Sequence, residues 1–319
     1  MNTLGIDHGT QSIRFCALGS DGQVINFEIG RKEAAKRSIL EEIKKRVPFS
    51  IDMVGVTYSM GDAINAVVDL HKVEGRGVLK ESTGNFIGGG TKVFDEIYNS
   101  DLNAVLIPGL HKGIECLDPR FRALYSHCAA SEKVSLGYHI FLEVNKTATA
   151  DDLIISDISS NTVTIGIKDG KFFGAIDACL GAAGLLHGPL DLETIRKVDD
   201  GEITANEAFY TSGAMKILKG DPKDIFDPKN ETAKLALDCL ILSVTMEIFG
   251  FLGAFEPEAI VITGSAGVND KVYNALRVAL ERFGRVQKIN GYSAARGSAE
   301  IALSVLKGQK DILGIPVEF

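Results

Sequence analysis

The chain states one structural phrase twice, and few folds accommodate such a repeat. Thr3 to Asp7 is a short apolar run ending in aspartate, followed by the polar turn His8-Gly9-Thr10. Ser12 to Leu18 alternates with a period of two, Asp21-Gly22 supplies a hairpin turn, and Val24 to Ile29 completes three predicted strands. At Leu153 the phrase returns: a run ending at Asp157, the turn Ser159-Ser160-Asn161, the alternating run Thr162 to Lys168, the turn Asp169-Gly170, and a third run to Asp177. The aspartates lie 150 residues apart and precede their Asp-Gly turns by 14 and 12 residues. One copy would be an ordinary hairpin signal. Recurrence of both the aspartate and the turn predicts a duplicated α/β chain with domains at 1–150 and 151–319.

Length agrees, since 319 residues exceed one comfortable core. With 45% hydrophobic and 24% charged residues the chain reads as globular rather than disordered. A net charge of −8 disfavours a nucleic-acid partner, whose phosphates call for a basic surface. Five scattered cysteines (Cys16, Cys116, Cys128, Cys179 and Cys239) form no CxxC pair, which points to reduced thiols in a cytoplasmic protein. A strand starting at Thr3 leaves no room for a signal peptide. The one membrane-like stretch, Leu235 to Phe255, carries Asp238 and Glu247, both costly at bilayer depth, and is read as part of a buried helix from Glu231. No membrane partner is expected.

Between the repeats the pattern predicts a helix over Lys32 to Arg46, a buried strand from Ile51 to Tyr58, and a glycine-rich stretch from Gly84 to Gly90 opening a helix at Thr91 to Asn99. A strand over Asn103 to Pro108 and a helix over Ser131 to Lys146 follow. The second half adds the small-residue loop Gly181 to Pro189, a helix capped by Asp191, the strand Ala259 to Thr263, the turn Gly264 to Gly267 with a helix after it, and a last helix from Ala294 to Leu306.

A carboxylate ending a buried strand before a tight turn suits a metal–phosphate ligand. Asp7 either holds Mg²⁺ or merely starts a turn, and Gly9, Thr10 and Gln11 offer phosphate donors. Asp157 is expected to face Asp7 across a cleft, with Ser159, Ser160, Asn161 and Thr162 donating hydroxyl and amide hydrogens. Thr263 to Gly267 either lets an adenosine lie against backbone at Gly264, Ser265 and Gly267, or is an ordinary strand-to-helix turn. Gly84 to Lys92 is not a P-loop, because lysine does not follow its closing glycine.

Gly5-Ile6-Asp7-His8-Gly9-Thr10-Gln11-Ser12 resembles the first phosphate motif of the acetate and sugar kinase, Hsc70 and actin superfamily. Asp157 to Thr162 stands at its second phosphate motif and Thr263 to Gly267 at its adenosine motif. The order of Ser126-His127, the Asp157 hairpin and the Gly181 to Pro189 loop is similar to the acetate and butyrate kinase branch. Leu117 to His127 and Thr57 to Asp62 liken the whole chain to the archaeal family counted twelfth among the methanogenesis marker proteins. The resemblance implies duplicated ribonuclease H-like (actin-like ATPase) lobes with a central cleft, and ATP with Mg²⁺ held by Asp7 and Asp157. It further implies phosphates held by Thr10, Ser12, Ser159 and Thr162, with Gly181 nearby, and a homodimer. On the acceptor side, Arg120, Arg122 and His127 resemble the cationic cluster that holds a carboxylate in acyl-phosphate-forming kinases, with Asp62 as base or acceptor ligand. An exposed helix start, a core histidine and a helix-capping aspartate explain those four residues equally simply. One departure stands out: relatives have a glycine-rich second turn, whereas this chain has Ser159-Ser160-Asn161. That turn suits nucleotide binding better than turnover, so a nucleotide-dependent switch or assembly factor is the alternative to phosphoryl transfer to a small carboxylate.

Overall fold

The computed structural model describes residues 1–9, 12–79, 89–218, 220–290 and 293–319. It divides into two compact units, Met1–Thr149 with Gly291–Phe319, and Ala150–Asn290. The expected boundary differs at the C-terminal end, because residues from Ser293 onward pack with the first unit.

In that unit β1 (Thr3–Asp7), β2 (Ser12–Leu18) and β3 (Val24–Gly30) form the expected meander. The helix expected over Lys32 to Arg46 breaks into α1 (Arg31–Ala34) and α2 (Ile39–Arg46). Ser38 caps α2, and the Glu96 carboxylate also accepts from the Ile39 N–H at 2.6 Å, so side-chain oxygens satisfy donors that a continuous helix would use internally. β4 (Met53–Thr57) runs parallel to β1. The unit continues through β5 (Val67–Asp69), α3 (Gly89–Tyr98), β6 (Ala104–Ile107), β7 (Leu110–His111), α4 (Pro119–Leu124), β8 (His127–Ala129) and α5 (Ser131–Asn145).

The second unit opens with β9 (Leu153–Ile158), β10 (Thr162–Lys168) and β11 (Lys171–Ile176), a second meander. Three short helices follow: α6 (Leu192–Asp199), capped by Asp191 as expected, α7 (Ala205–Tyr210) and α8 (Met215–Leu218). Then come α9 (Glu231–Leu252), β12 (Ala259–Thr263), α10 (Asp270–Leu280) and β13 (Arg285–Lys288). The chain finishes in the first unit with α11 (Ser293–Leu306), β14 (Asp311–Ile312) and β15 (Ile315–Glu318).

Strand order is β14-β15-β5-β6-β4-β1-β2-β3 in the first unit and β11-β10-β9-β12-β13 in the second. In both sheets the aspartate-bearing strand has an antiparallel hairpin partner on one side and a parallel strand on the other. Parallel strands covered by helices are buried on both faces, which is why β1, β4, β9 and β12 are buried throughout.

α9 is buried along one face only. Ala236, Leu240, Val244, Glu247, Ile248 and Phe251 are buried, while Leu235, Leu242 and Met246 are more than half exposed. The expectation of a buried helix is corrected to this one-sided helix, which ends at Leu252. Composition alone conceals the division, because both faces are apolar.

The tightest packing joins α11 to the first sheet. A Cβ on Gly5 would lie 1.8 Å from the Ala295 carbonyl oxygen, one on Gly55 2.0 Å from that of Ser298, and one on Gly297 1.8 Å from that of Ser135. Backbone therefore meets backbone along β1, β4, α5 and α11, with Ser298 Oγ donating to Ser135 Oγ at 3.0 Å inside the contact. Gly297→Ala is expected to cost about 2–3 kcal/mol by overpacking. Gly250→Ala, in a part of α9 with open space around it, should gain up to about 1 kcal/mol. Urea unfolding of both variants checks the opposite signs.

Candidate phosphate-binding turns

Asp7 ends β1 and Asp157 is the last residue but one of β9, both in buried positions. Asp7 is 2% exposed, and Arg14, from the neighbouring strand, approaches its Oδ2 at 3.4 Å. Thr57, at the end of β4, donates to the Ile6 carbonyl at 3.2 Å and accepts from the His8 N–H at 3.4 Å. Arg31, opening α1, donates from Nε to the Gly9 carbonyl at 2.9 Å and from a terminal nitrogen to that of His8 at 3.2 Å. The turn after Asp7 is thus held by a hydroxyl on one side and a guanidinium on the other. A Cβ on Gly9 would lie 2.8 Å from the Ser12 carbonyl, so glycine is required for this close turn. Burial, reinforced by the Arg31 charge, pushes the His8 imidazole down to about 4, against weaker opposing pulls from the backbone of Thr57 and Gly90. His8 is therefore neutral at pH 7, and the cations at this turn are Arg14 and Arg31. The Ser12 hydroxyl donates to Glu28 at 3.0 Å. Thr10 and Gln11 lie outside the described residues, as do residues 84–88 of the glycine-rich stretch.

In the second unit β9 and β12 are parallel neighbours with Asp157 in register with Thr263, which brings the second phosphate turn beside the predicted adenosine turn. Asp157 is 6% exposed. The Ser159 hydroxyl donates to Asp157 Oδ1 at 3.1 Å and accepts from the Ser265 N–H at 3.1 Å. The N–H groups of Ala266 and Gly267 donate to the Ile158 carbonyl at 2.9 and 3.0 Å. Gly264 has φ +85°, and a Cβ there would lie 2.3 Å from Asp157 Oδ1, so only glycine fits between the two turns.

Several expected donors are already engaged. Thr162 is fully buried and its hydroxyl donates to the Ala183 carbonyl at 2.9 Å, tying β10 to the loop. Ser160 and Asn161 form the turn itself: the Ser160 carbonyl accepts from Leu186 and His187, and the Asn161 carbonyl from Ser159. Gly181 packs against α9, where a Cβ would lie 2.1 Å from Glu247 Oε1.

On the acceptor side, Asp62 accepts from the Leu79 N–H at 3.0 Å, next to Gly61 at φ +62°. Asp118 caps α4, and Arg120, two-thirds exposed, makes a two-pronged pair with it at 2.8 and 2.9 Å. Arg122 donates to the Lys112 carbonyl at 3.0 Å. His127 sits partly buried on β8 in register with His111 of β7. The three residues share one stretch of chain, and each arginine has a local structural partner.

Three contributors escaped the sequence reading. Arg14 sits two residues beyond Ser12 on the alternating strand, a position visible in the period but with no chemical cue. Arg31 opens a helix merged into a longer one in that reading. Glu247, 6% exposed on α9, does announce itself as one of two acids in an apolar run, and it is the buried one, Asp238 being exposed.

Over its whole length the chain is 48% identical to a UPF0285 protein of Methanocaldococcus jannaschii, covering 100% of each chain. It is 42% identical to a UPF0285 protein of Methanothermobacter thermautotrophicus, covering 99% of this chain and 98% of that one. No family model matches the chain. Among solved structures, it is similar to a propionate kinase from Francisella tularensis (TM-score 0.71, 12% identity, 95% and 99% of the two chains) and to the acetate kinase of Porphyromonas gingivalis (TM-score 0.68, 12% identity, 96% and 99%). A ROK-family glucokinase from Streptomyces griseus, solved with glucose and AMPPNP, follows at TM-score 0.55 and 14% identity, covering 95% and 100%. At such identities the likeness establishes the fold, which is that of the acetate and sugar kinases.

Gly264→Ala is expected to destabilise the second unit by about 3 kcal/mol, combining a positive φ with a clash against Asp157. Ser159→Ala, which removes two hydrogen bonds, should cost about 1–2 kcal/mol. Equilibrium unfolding of the full chain ranks the two.

Proposed function

For this chain, which belongs to the UPF0285 family of methanogens, we propose an ATP- and magnesium-binding, kinase-like protein that transfers the γ-phosphoryl group to a small carboxylate. The likeness to the twelfth methanogenesis marker family forms part of the same reading. The observation that carries it is the paired arrangement: a buried aspartate at or one residue before the end of the first strand of each meander, within the fold of acetate and propionate kinases.

The residues suit the metal. Asp157 is fixed by Ser159, which is itself fixed by the Ser265 N–H, the outer-shell bracing that ligating carboxylates need. Asp7 has Arg14 beside it. Magnesium, when bound, supplies positive charge against the triphosphate. Asp7 and Asp157 would hold it, the turn at Gly9 would approach phosphate oxygens closely, and Gly264, Ser265 and Gly267 would lie against the adenosine. In the transfer an acceptor carboxylate oxygen forms the new bond to the γ-phosphorus as the bond to the ADP oxygen breaks. Arg120, Arg122, His127 and Asp62 are the acceptor-side residues of the proposal.

A nucleotide-dependent switch or assembly factor with little turnover is the second reading. It is favoured by one specific observation: the hydroxyls of Ser159 and Thr162 are spent on Asp157 and Ala183 rather than left open to phosphate.

Mg·ATP at a hundredfold its Kd should stabilise the protein by about 2.7 kcal/mol, read as a rise in melting temperature. Asp7→Asn and Asp157→Asn should each weaken Mg·ATP binding by at least about tenfold. ADP release that depends on an added short-chain acid marks the kinase, and a thermal shift without it marks the switch. No shift with any nucleotide removes both.

A further inference from the structure

Glu247 lies in the middle of α9, 6% exposed, between β10 and the loop that follows β11. Its Oε2 is 2.8 Å from the Thr164 hydroxyl, which lies 3.0 Å from that of Ser156, next to Asp157 on β9. Its Oε1 accepts from the Ala182 N–H at 3.4 Å and lies where any Gly181 side chain would stand. One turn earlier, Ser243 Oγ accepts from the Ala183 N–H at 3.2 Å. α9 therefore grips the loop at two successive amides.

The far side of the same loop carries the second phosphate turn. Leu185 N–H donates to the Ser159 carbonyl at 2.9 Å, those of Leu186 and His187 to the Ser160 carbonyl at 2.9 and 2.8 Å, and the Ala183 carbonyl accepts from Thr162. Gly184 presses on Asn161, where a Cβ would come within 2.4 Å of the Asn161 Cα. The turn has few glycines of its own and takes its shape from this loop, and the loop takes its anchorage from α9.

We propose that Glu247 is a positioning residue: by fastening the Gly181–Gly184 stretch through Ala182 and Thr164, it holds the Ser159–Asn161 turn in the form that receives nucleotide. The nucleotide part rests on the function proposed above.

The chemistry of the grip depends on a proton. Burial pushes the Glu247 carboxyl up to about 8, the negative charge of Asp177 at the end of β11 adds to this, and the hydrogen bonds from Thr164 and Ala182 pull the other way. Of the charged groups around α9, Asp177 is the one whose field reaches it, and β9 and β10 present the hydroxyls of Ser156 and Thr164. As a neutral acid Glu247 supplies the proton in a chain running from its O–H to Thr164 and from Thr164 to Ser156, while Oε1 still accepts from Ala182. Ionised, it is an anion buried beside Asp177. Below the ordinary value of 4.5 the group is neutral in folded and unfolded chains alike. Between 4.5 and about 8 the folded chain holds the extra proton, so its contribution to stability falls as pH rises, and above about 8 the loss is complete.

The test compares the full chain with its Glu247→Gln and Glu247→Ala variants at pH 6.5 and 9. Two quantities are read: hydrogen-exchange protection of the loop amides, corrected for intrinsic rates, and Mg·ATP affinity. In the native chain loop protection should fall by about thirtyfold, because the folded chain alone holds the proton over the roughly 1.5 pH units between 6.5 and the midpoint near 8, and Mg·ATP affinity should fall with it. Glu247→Gln keeps an acceptor and a donor without a titrating proton, and should hold the pH 6.5 values at both pH values. Glu247→Ala should show low protection throughout; if it fails to fold, Glu247→Gln decides alone. Retention of the native pH dependence in Glu247→Gln, or pH-independent loop protection in the native chain, overturns the proposal. Should the native chain bind no Mg·ATP, the nucleotide reading fails by itself, and the exchange measurement still settles whether Glu247 positions the loop.

Discussion

The first unit depends on contact between backbones without intervening side chains. Gly5 on β1, Gly55 on β4 and Gly297 on α11 each remove a Cβ that would collide with a carbonyl oxygen. α11 can therefore sit directly against the two central strands and α5. Dispersion falls steeply with distance, so a contact this close gains attraction over its whole length, at the cost of tolerating no added methyl. The strand that ends in Asp7 owes its position to this helix.

In the second unit the equivalent strand is fixed differently. Asp157 is bound sideways into the β12 turn through Ser159 and Ser265, with Gly264 permitting the approach. Thr162 and the loop ahead of α6 complete the bracing. The two aspartates occupy matching places in matching strand orders, and the polar groups that hold them are unrelated. The backbone plan around the two aspartates repeats, and the side chains that support it do not.

The meanders were legible because their signals are local. Period-two alternation and Asp-Gly turns act over a few residues, and β1, β2, β10 and β12 occupy the predicted spans. What escaped was decided at a distance. The break between α1 and α2 rests on Glu96, some sixty residues away. The short strands β5, β13, β14 and β15 have too few residues to show a period. Thr162 was read as a phosphate donor from its place beside the second turn, and its hydroxyl is instead bonded to the Ala183 carbonyl, 21 residues later. The membership of α11 could not be read either, since helical periodicity says which face is apolar but not which sheet will cover it. Of the candidate site, the two aspartates and the glycines at positions 9 and 264 were visible, and the arginines that hold the first turn were not.

The route of the chain through its units has a consequence for biosynthesis. Translation delivers β1 to β6 of the first sheet early, yet the helix that covers β1 and β4 begins only at Ser293, after the whole of Ala150–Asn290, with β14 and β15 later still. The second unit is contiguous and can close as soon as it leaves the ribosome, whereas the first must wait with an apolar sheet face uncovered. The part of the molecule synthesised first is thus the part completed last, and until then it exposes apolar surface of the kind that aggregates.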